Sequence, residues 1–435
     1  RILSPEEFGI ITIFLTWVSF FAVFIGFQVS SSIASAYIHR GKKNLVRYMK
    51  NIVILSLLSA VIISIICVLF REEISKLLLI EPDLIIHLMI QAYGVSCATI
   101  YIIYTIQTKQ PKKNVVFSVE VSLLVVSLSI LLIINLDEDK YLGRIFAGSA
   151  IYLIVIFYVI REFVTGKEVE INFKDWKYAI KLSSPLIIHL LANIAISQSD
   201  RLFLTHYMGL EVAAIYSVCY NISIVGMILV EVGTKVWSPW YLENTMNKNN
   251  ASVNSAARMF SLGISLIFII VLFISPEVLM LMAPEEYWVG KSTLLIVTSA
   301  VYFQFLYRFP LTYEQFCQNM KWVAVSTISV GFLNLILNNF FIDSFGLIGA
   351  AIATYISYLI LFLMHEYVAR KILKDYNIKF SAYLPGIILV VFFSALNYFL
   401  INFPYIRYAI LFVLFVALII LFRSRKELFS KYIKL

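Results

Sequence analysis

The chain has 435 residues, of which 61% are apolar or aromatic and 14% charged, with a formal net charge of +9. Soluble domains carry about 25% charged residues and a smaller apolar share. A cytosolic enzyme, a nucleic-acid binder and a disordered chain are therefore excluded, and an integral membrane protein remains.

The opening Arg1-Ile2-Leu3-Ser4-Pro5-Glu6-Glu7-Phe8 reads as a loop feeding straight into an apolar segment, with no signal-peptide pattern. On this reading a first helix precedes residue 1. Runs of about 20 apolar residues predict thirteen spanning helices, near 9–38, 46–70, 80–108, 114–135, 141–163, 179–205, 210–242, 257–282, 290–318, 321–342, 345–368, 381–402 and 404–422. Strand-type alternation is absent, which argues against a membrane barrel. If the loop at 39–50 is cytoplasmic, that side of the membrane holds 25 Lys and Arg and the other side 7, Arg144 and Arg407 among them. An asymmetry this large supports the span count and places the C-terminus in the cytoplasm. The four cysteines, Cys67, Cys97, Cys219 and Cys317, stand singly, without the spacing of a disulfide framework or a zinc site.

The chain also matches itself at an offset of 203–205 residues. Glu6…Ile10 pairs with Glu211…Ile215, Glu73-Ile74 with Glu277-Val278, and Asn135…Gly143-Arg144-Ile145 with Asn338…Gly346-Leu347-Ile348. A duplication of this period predicts an all-α architecture of two six-helix lobes related by a parallel repeat, at 1–175 and 176–375, followed at 376–435 by two further helices and a basic cytoplasmic tail. Because the span at 179–205 has no counterpart in the first half, thirteen spans are present and fourteen are expected in the intact protein. Duplicated bundles of this kind typify transporters, with the substrate site between the halves.

Catalytic patterns fail in detail. Gly290-Lys291-Ser292 lacks the leading glycine of a phosphate-binding loop, since Glu285 stands there. His365-Glu366 begins like a zinc-hydrolase motif, but Ala369 replaces the second histidine. No loop is long enough for a catalytic domain. Neither an enzyme nor a cofactor nor a metal site is expected.

Ionisable groups inside spans are costly and mark function by default. Asp200-Arg201 lies in the polar turn Ser197-Gln198-Ser199 near the outer end of its helix, and Arg308 stands alone beside Pro310. Glu231 and Lys235 are spaced for an intrahelical ion pair. Glu120 is either a proton-coupling carboxylate or an inner-surface residue, and Asp200 is a second candidate for ion coupling. His189 reads as a core residue, and Trp237, Trp240 and Tyr241 as an interfacial aromatic belt. The acids are nearly all accompanied by bases, so a cavity here is neutral to positive. It favours an anionic head group such as pyrophosphate, bound by Arg201 and Arg308, with Lys235 a weaker contributor and Asp200 and Glu231 tuning those bases.

Leu3-Ser4-Pro5-Glu6-Glu7-Phe8-Gly9, Asp200-Arg201…Gly209-Leu210-Glu211…Ile215-Tyr216, and Asn334…Asn338…Phe345-Gly346-Leu347-Ile348-Gly349-Ala350-Ala351 resemble the Wzx-type polysaccharide flippases of the MOP superfamily. That superfamily also holds the MATE drug exporters and the lipid II flippases. The resemblance spans the chain. It implies two six-helix lobes working by alternating access, plus two C-terminal helices, in a bacterial inner or plasma membrane. The implied cargo is an undecaprenyl-pyrophosphate-linked oligosaccharide for O-antigen, lipopolysaccharide or capsule, with Arg201 lining the cavity. Implied partners are membrane lipid, a polysaccharide polymerase and a chain-length regulator, and no nucleic acid. The alternatives are a MATE-type exporter of cationic drugs, a lipid II flippase, or, from another class, an integral-membrane glycan polymerase or transferase.

Overall fold

A computed structural model describes residues 2–165, 171–317 and 319–424; the expected basic tail at 425–435 lies outside the described residues. Each predicted run is mostly helical, and no strand forms among the described residues. Among the described residues ten helical stretches are long and apolar enough to cross a membrane, and two shorter apolar helices follow them at Leu384–Phe399 and Pro404–Leu414. The chain is a multi-pass, all-α membrane protein.

Helix α1 (Pro5–Ile25) begins with a capping box: Ser4 accepts from the Glu7 amide, and the Glu7 carboxylate accepts from the Ser4 amide at 2.8 Å. The predicted run 9–38 is not one helix. Phe27 and Gln28 take left-handed backbone (φ 54° and 46°), and a short 3-10 turn at Val29–Ser32 precedes α2 (Ile33–Leu69). The serine run accounts for the break, because hydroxyls compete for backbone carbonyls. Ser32 Oγ, for example, donates to Val29 O at 2.6 Å. An eight-residue helix, α3 (Arg71–Leu78), was not anticipated. It is followed by α4 (Leu84–Gln107), α5 (Pro111–Asn135), α6 (Tyr141–Phe163) and α7 (Phe173–Met208).

The run at 210–242 divides into α8 (Leu210–Ser223) and α9 (Val225–Met246), and α10 (Asn250–Met282) follows. The run at 290–318 divides at Tyr307 into α11 (Lys291–Leu306) and the nine-residue α12 (Arg308–Phe316). By contrast, α13 (Met320–Tyr367) covers two predicted spans and turns at Gly346, whose φ of 56° and ψ of −131° suit glycine alone. Helices α14 (Leu384–Phe399) and α15 (Pro404–Ser424) complete the chain.

The chain forms two compact units, residues 1–214 with 327–336, and residues 215–326 with 337–435. In the first, α4 and α6 cross so closely that a Cβ on Gly94 would lie 2.4 Å from Tyr152 Cβ. Small residues at such crossings replace the hydrophobic driving force that lipid removes. In the second, Asn397 Nδ2 donates to Leu272 O at 2.6 Å, tying α14 to α10. Arg407, expected as an outer-loop cation, is 1% exposed and pairs with Glu277. Its helix start docks on α10, so its charge reports packing and not topology. Trp237 and Tyr241 are buried as well, Trp237 stacking on Phe260 at 5.6 Å and 17°. They belong to an aromatic core completed by Phe305 and Phe309, which corrects the interfacial-belt expectation.

Candidate functional site

In the first unit α7 carries the polar turn that holds Asp200 and Arg201. Asn172 caps the helix by accepting from the Lys174 amide at 3.0 Å. Asp200 is fully buried and Arg201 is 5% exposed. The guanidinium donates through Nη1 to Ser197 O at 2.9 Å and to Gln198 Oε1 at 3.1 Å. Thr16 Oγ1 approaches that same Gln198 oxygen at 3.5 Å, and Ser199 donates to Asn334 at 2.9 Å. The turn is a closed hydrogen-bonded cluster within its unit. His189 is half-buried on the same helix, 3.1 Å from the Asn193 amide nitrogen. Glu120 is exposed on α5, beside a groove of about 340 Å³ that Lys113, Tyr101 and Tyr158 also line.

In the second unit the intrahelical pairing expected for Glu231 gives way to a cross-helix one. Glu231 Oε1 lies 3.6 Å from Arg308 Nη2, and the side chains are 60% and 27% exposed. Arg308, expected to stand alone, therefore has a carboxylate across from it. Sequence spacing registers neighbours on one helix, whereas this contact joins α9 to the start of α12. At 3.6 Å and this exposure the pair is worth roughly 1 kcal/mol or less. The Arg308 Nε is buried without a hydrogen-bond partner, while the side chain as a whole is partly exposed, and a guanidinium fork suits a bidentate anion. Lys235 is exposed on α9, one turn beyond Glu231.

A further cluster escaped the sequence reading. Glu314 on α12 and His365 on α13 are both completely buried, with His365 Nδ1 2.9 Å from Glu314 Oε1. Beside them Glu366 accepts from Arg370 Nε at 2.6 Å, and Tyr376 and Tyr383 share a 2.6 Å hydrogen bond. Burial, with Tyr383 and Glu366 close by, holds the Tyr376 phenol well above its ordinary value. The only sequence signal was His365-Glu366, set aside as an incomplete zinc motif. Its partner lies 51 residues away, beyond any local pattern.

A family model described as "Polysaccharide biosynthesis protein" matches residues 1–245. The chain belongs to this family. A search of curated proteins found no match. Among solved structures, the lipid II flippase MurJ in an inward closed conformation is 15% identical over 97% of this chain and 98% of its own, with a TM-score of 0.66. An inward-facing multidrug-resistance MATE transporter of the MOP superfamily is 14% identical over 90% and 92%, at 0.62. A MOP-superfamily transporter from Pyrococcus furiosus is 14% identical over 90% and 89%, at 0.55. At these identities the likeness establishes the fold: the protein is built as MOP-superfamily membrane transporters are. Its family is described by polysaccharide biosynthesis, and its fold neighbours include a lipid II flippase and a multidrug-resistance transporter.

Proposed function

We propose that the protein translocates an undecaprenyl-pyrophosphate-linked oligosaccharide from the inner to the outer leaflet of a bacterial plasma membrane, with its C-terminus cytoplasmic. The family match over residues 1–245 carries this reading, because it joins polysaccharide biosynthesis to a fold shared with a lipid II flippase. The duplicated stretches 1–175 and 176–375 are its two lobes and 376–435 an appendage. Repeat borders follow self-similarity and compact units follow contacts, so the two need not coincide.

Among the intramembrane cations named above, Arg308 is the favoured contact for pyrophosphate. It is partly exposed and only loosely paired, whereas Arg201 is nearly buried and donates to its own turn. Lys235, exposed one turn from Glu231, adds positive charge nearby. Arg201 and Asp200 then shape the wall of the path more than they grip cargo. An inside-negative potential assists outward movement of a negative head group by roughly 2.3 kcal/mol per charge per 100 mV. A polymerase and a chain-length regulator receive the product.

The test is reconstitution into liposomes with a glycan-labelled polyprenyl-pyrophosphate lipid, followed by the fraction that a membrane-impermeant enzyme can reach. Wild-type protein is expected to accelerate exposure, and Arg308→Ala to lower the rate about tenfold, the loss of roughly 1.4 kcal/mol of binding. Efflux of cationic dyes with no glycan-lipid movement would overturn the reading in favour of a drug exporter.

A further inference from the structure

A carboxylate and an imidazole without solvent contact are expensive to keep inside a membrane bundle. The Glu314–His365 pair has 0% exposure on both side chains. Glu314 Oε2 and His365 Nε2 have no hydrogen-bond partner. His365 is also held flat against Tyr307, ring centroids 5.5 Å apart and planes 22° apart. Apolar residues of similar volume would pack at least as well, so packing does not explain the pair.

The surroundings fix its proton count. Glu366 and Arg370, from the end of α13 and the turn beyond, already neutralise one another at 2.6 Å. Other polar or titratable groups on the elements around it include Tyr307, Tyr313 and Cys317 around α12, Tyr241 on α9, and Tyr376, Tyr383 and the Lys374 carbonyl in the segment before α14. The exposed Asp375 acts on Tyr313 from that same segment, where water screens it, and the phenols and the thiol carry no formal charge when neutral. The pair is therefore electroneutral only when one proton is shared between Glu314 Oε1 and His365 Nδ1. Releasing it leaves a buried net −1, and adding a second leaves +1. Either costs several kcal/mol as long as the site stays dry.

Exchange with water thus requires α12 and α13 to part. Helix α12 is nine residues long and follows α11 directly after Tyr307. Its first residue is Arg308, six positions and about 9 Å before Glu314 along the axis.

We propose that Glu314 and His365 form a proton-binding site whose loading and unloading shifts α12, and with it Arg308, so that transport is coupled to protons. Among the described residues no three His, Cys, Asp or Glu side chains converge as metal ligands, and a proton needs only the two present. In the cycle the shared proton leaves to water when the helices part, giving carboxylate and neutral imidazole. One proton taken from the opposite side restores the closed pair.

This inference rests on the flippase reading above, and the experiment separates the two. Intact protein in liposomes is given the glycan-labelled polyprenyl-pyrophosphate lipid and an imposed pH gradient. At one proton per lipid the steady-state leaflet ratio should shift about tenfold per pH unit. Glu314→Gln, which keeps a hydrogen bond but no exchangeable acid, should abolish the shift. If that variant does not fold, His365→Gln is used in its place. Infrared pH titration without any lipid should show a carboxyl band that the Glu314 variant lacks. Lipid movement indifferent to the gradient, or an unchanged response in the variants, overturns the proton site and leaves the flippase reading standing. A titrating carboxyl band with no lipid movement does the reverse.

Discussion

Removing Glu277 should harm the protein more than removing Arg407, although the two are partners in one ion pair. Arg407 Nη1 donates to Phe273 O at 2.8 Å and to Glu277 Oε2 at 3.1 Å, and Nη2 donates to Glu277 Oε1. The Arg407 side chain is 2% exposed and that of Glu277 29%. Truncating one member of a buried pair costs about 3–5 kcal/mol, chiefly because the survivor is left charged and dry. After Arg407→Met the carboxylate can turn to water, which puts the cost near the lower figure. After Glu277→Ala the guanidinium keeps a single carbonyl partner and cannot reach solvent, which puts the cost near the upper. The double variant removes both charges and should be more stable than Glu277→Ala alone by about 2 kcal/mol. Thermal inactivation of detergent-solubilised protein, followed by size exclusion, gives the order of midpoints. Additive losses, with the double variant below both single ones, would refute the reasoning.

The loose pairing of Glu231 with Arg308 implies that Glu231→Gln tightens the apparent affinity for a pyrophosphate lipid, by up to about fivefold; weaker binding in a titration would contradict this. Gly346→Ala forces a side chain into backbone at φ 56° and ψ −131°, a strain of about 1–3 kcal/mol, and a lowered thermal midpoint at unchanged helix content is expected. Cys317 is exposed while Cys67, Cys97 and Cys219 are buried. A maleimide should therefore add once per chain in mass spectrometry, and Cys317→Ser should remove that label.

Fold class was legible because hydrocarbon imposes a single rule. Every spanning backbone must satisfy itself as helix or closed barrel, and a rise of about 1.5 Å per residue sets the length of each apolar run. The segments that became α4, α5 and α6 follow directly from that rule. Breaks within apolar runs were harder to read. The turn at Gly346 falls just inside the predicted span 345–368, the left-handed Phe27 and Gln28 carry no proline or charge to announce them, and the break at Tyr307 is flanked by Arg308 and Pro310 yet lies within a single apolar run. Charge was legible in kind and not in partner. Arg201, Arg308, Glu231 and Asp200 stood out because ionisable groups in a span are conspicuous.

Composition and the periodicity of hydrophobic runs were sufficient to decide that the chain crosses a membrane many times as helix, since burial in lipid acts on each segment separately. Tertiary structure alone decided which charges meet. Glu231 faces Arg308 and not Lys235, Arg407 closes on Glu277, and His365 finds Glu314. These contacts depend on the rotation and depth of helices far apart in the chain, and a pairwise Coulomb interaction takes its value from distance and dielectric, neither of which is written in residue order.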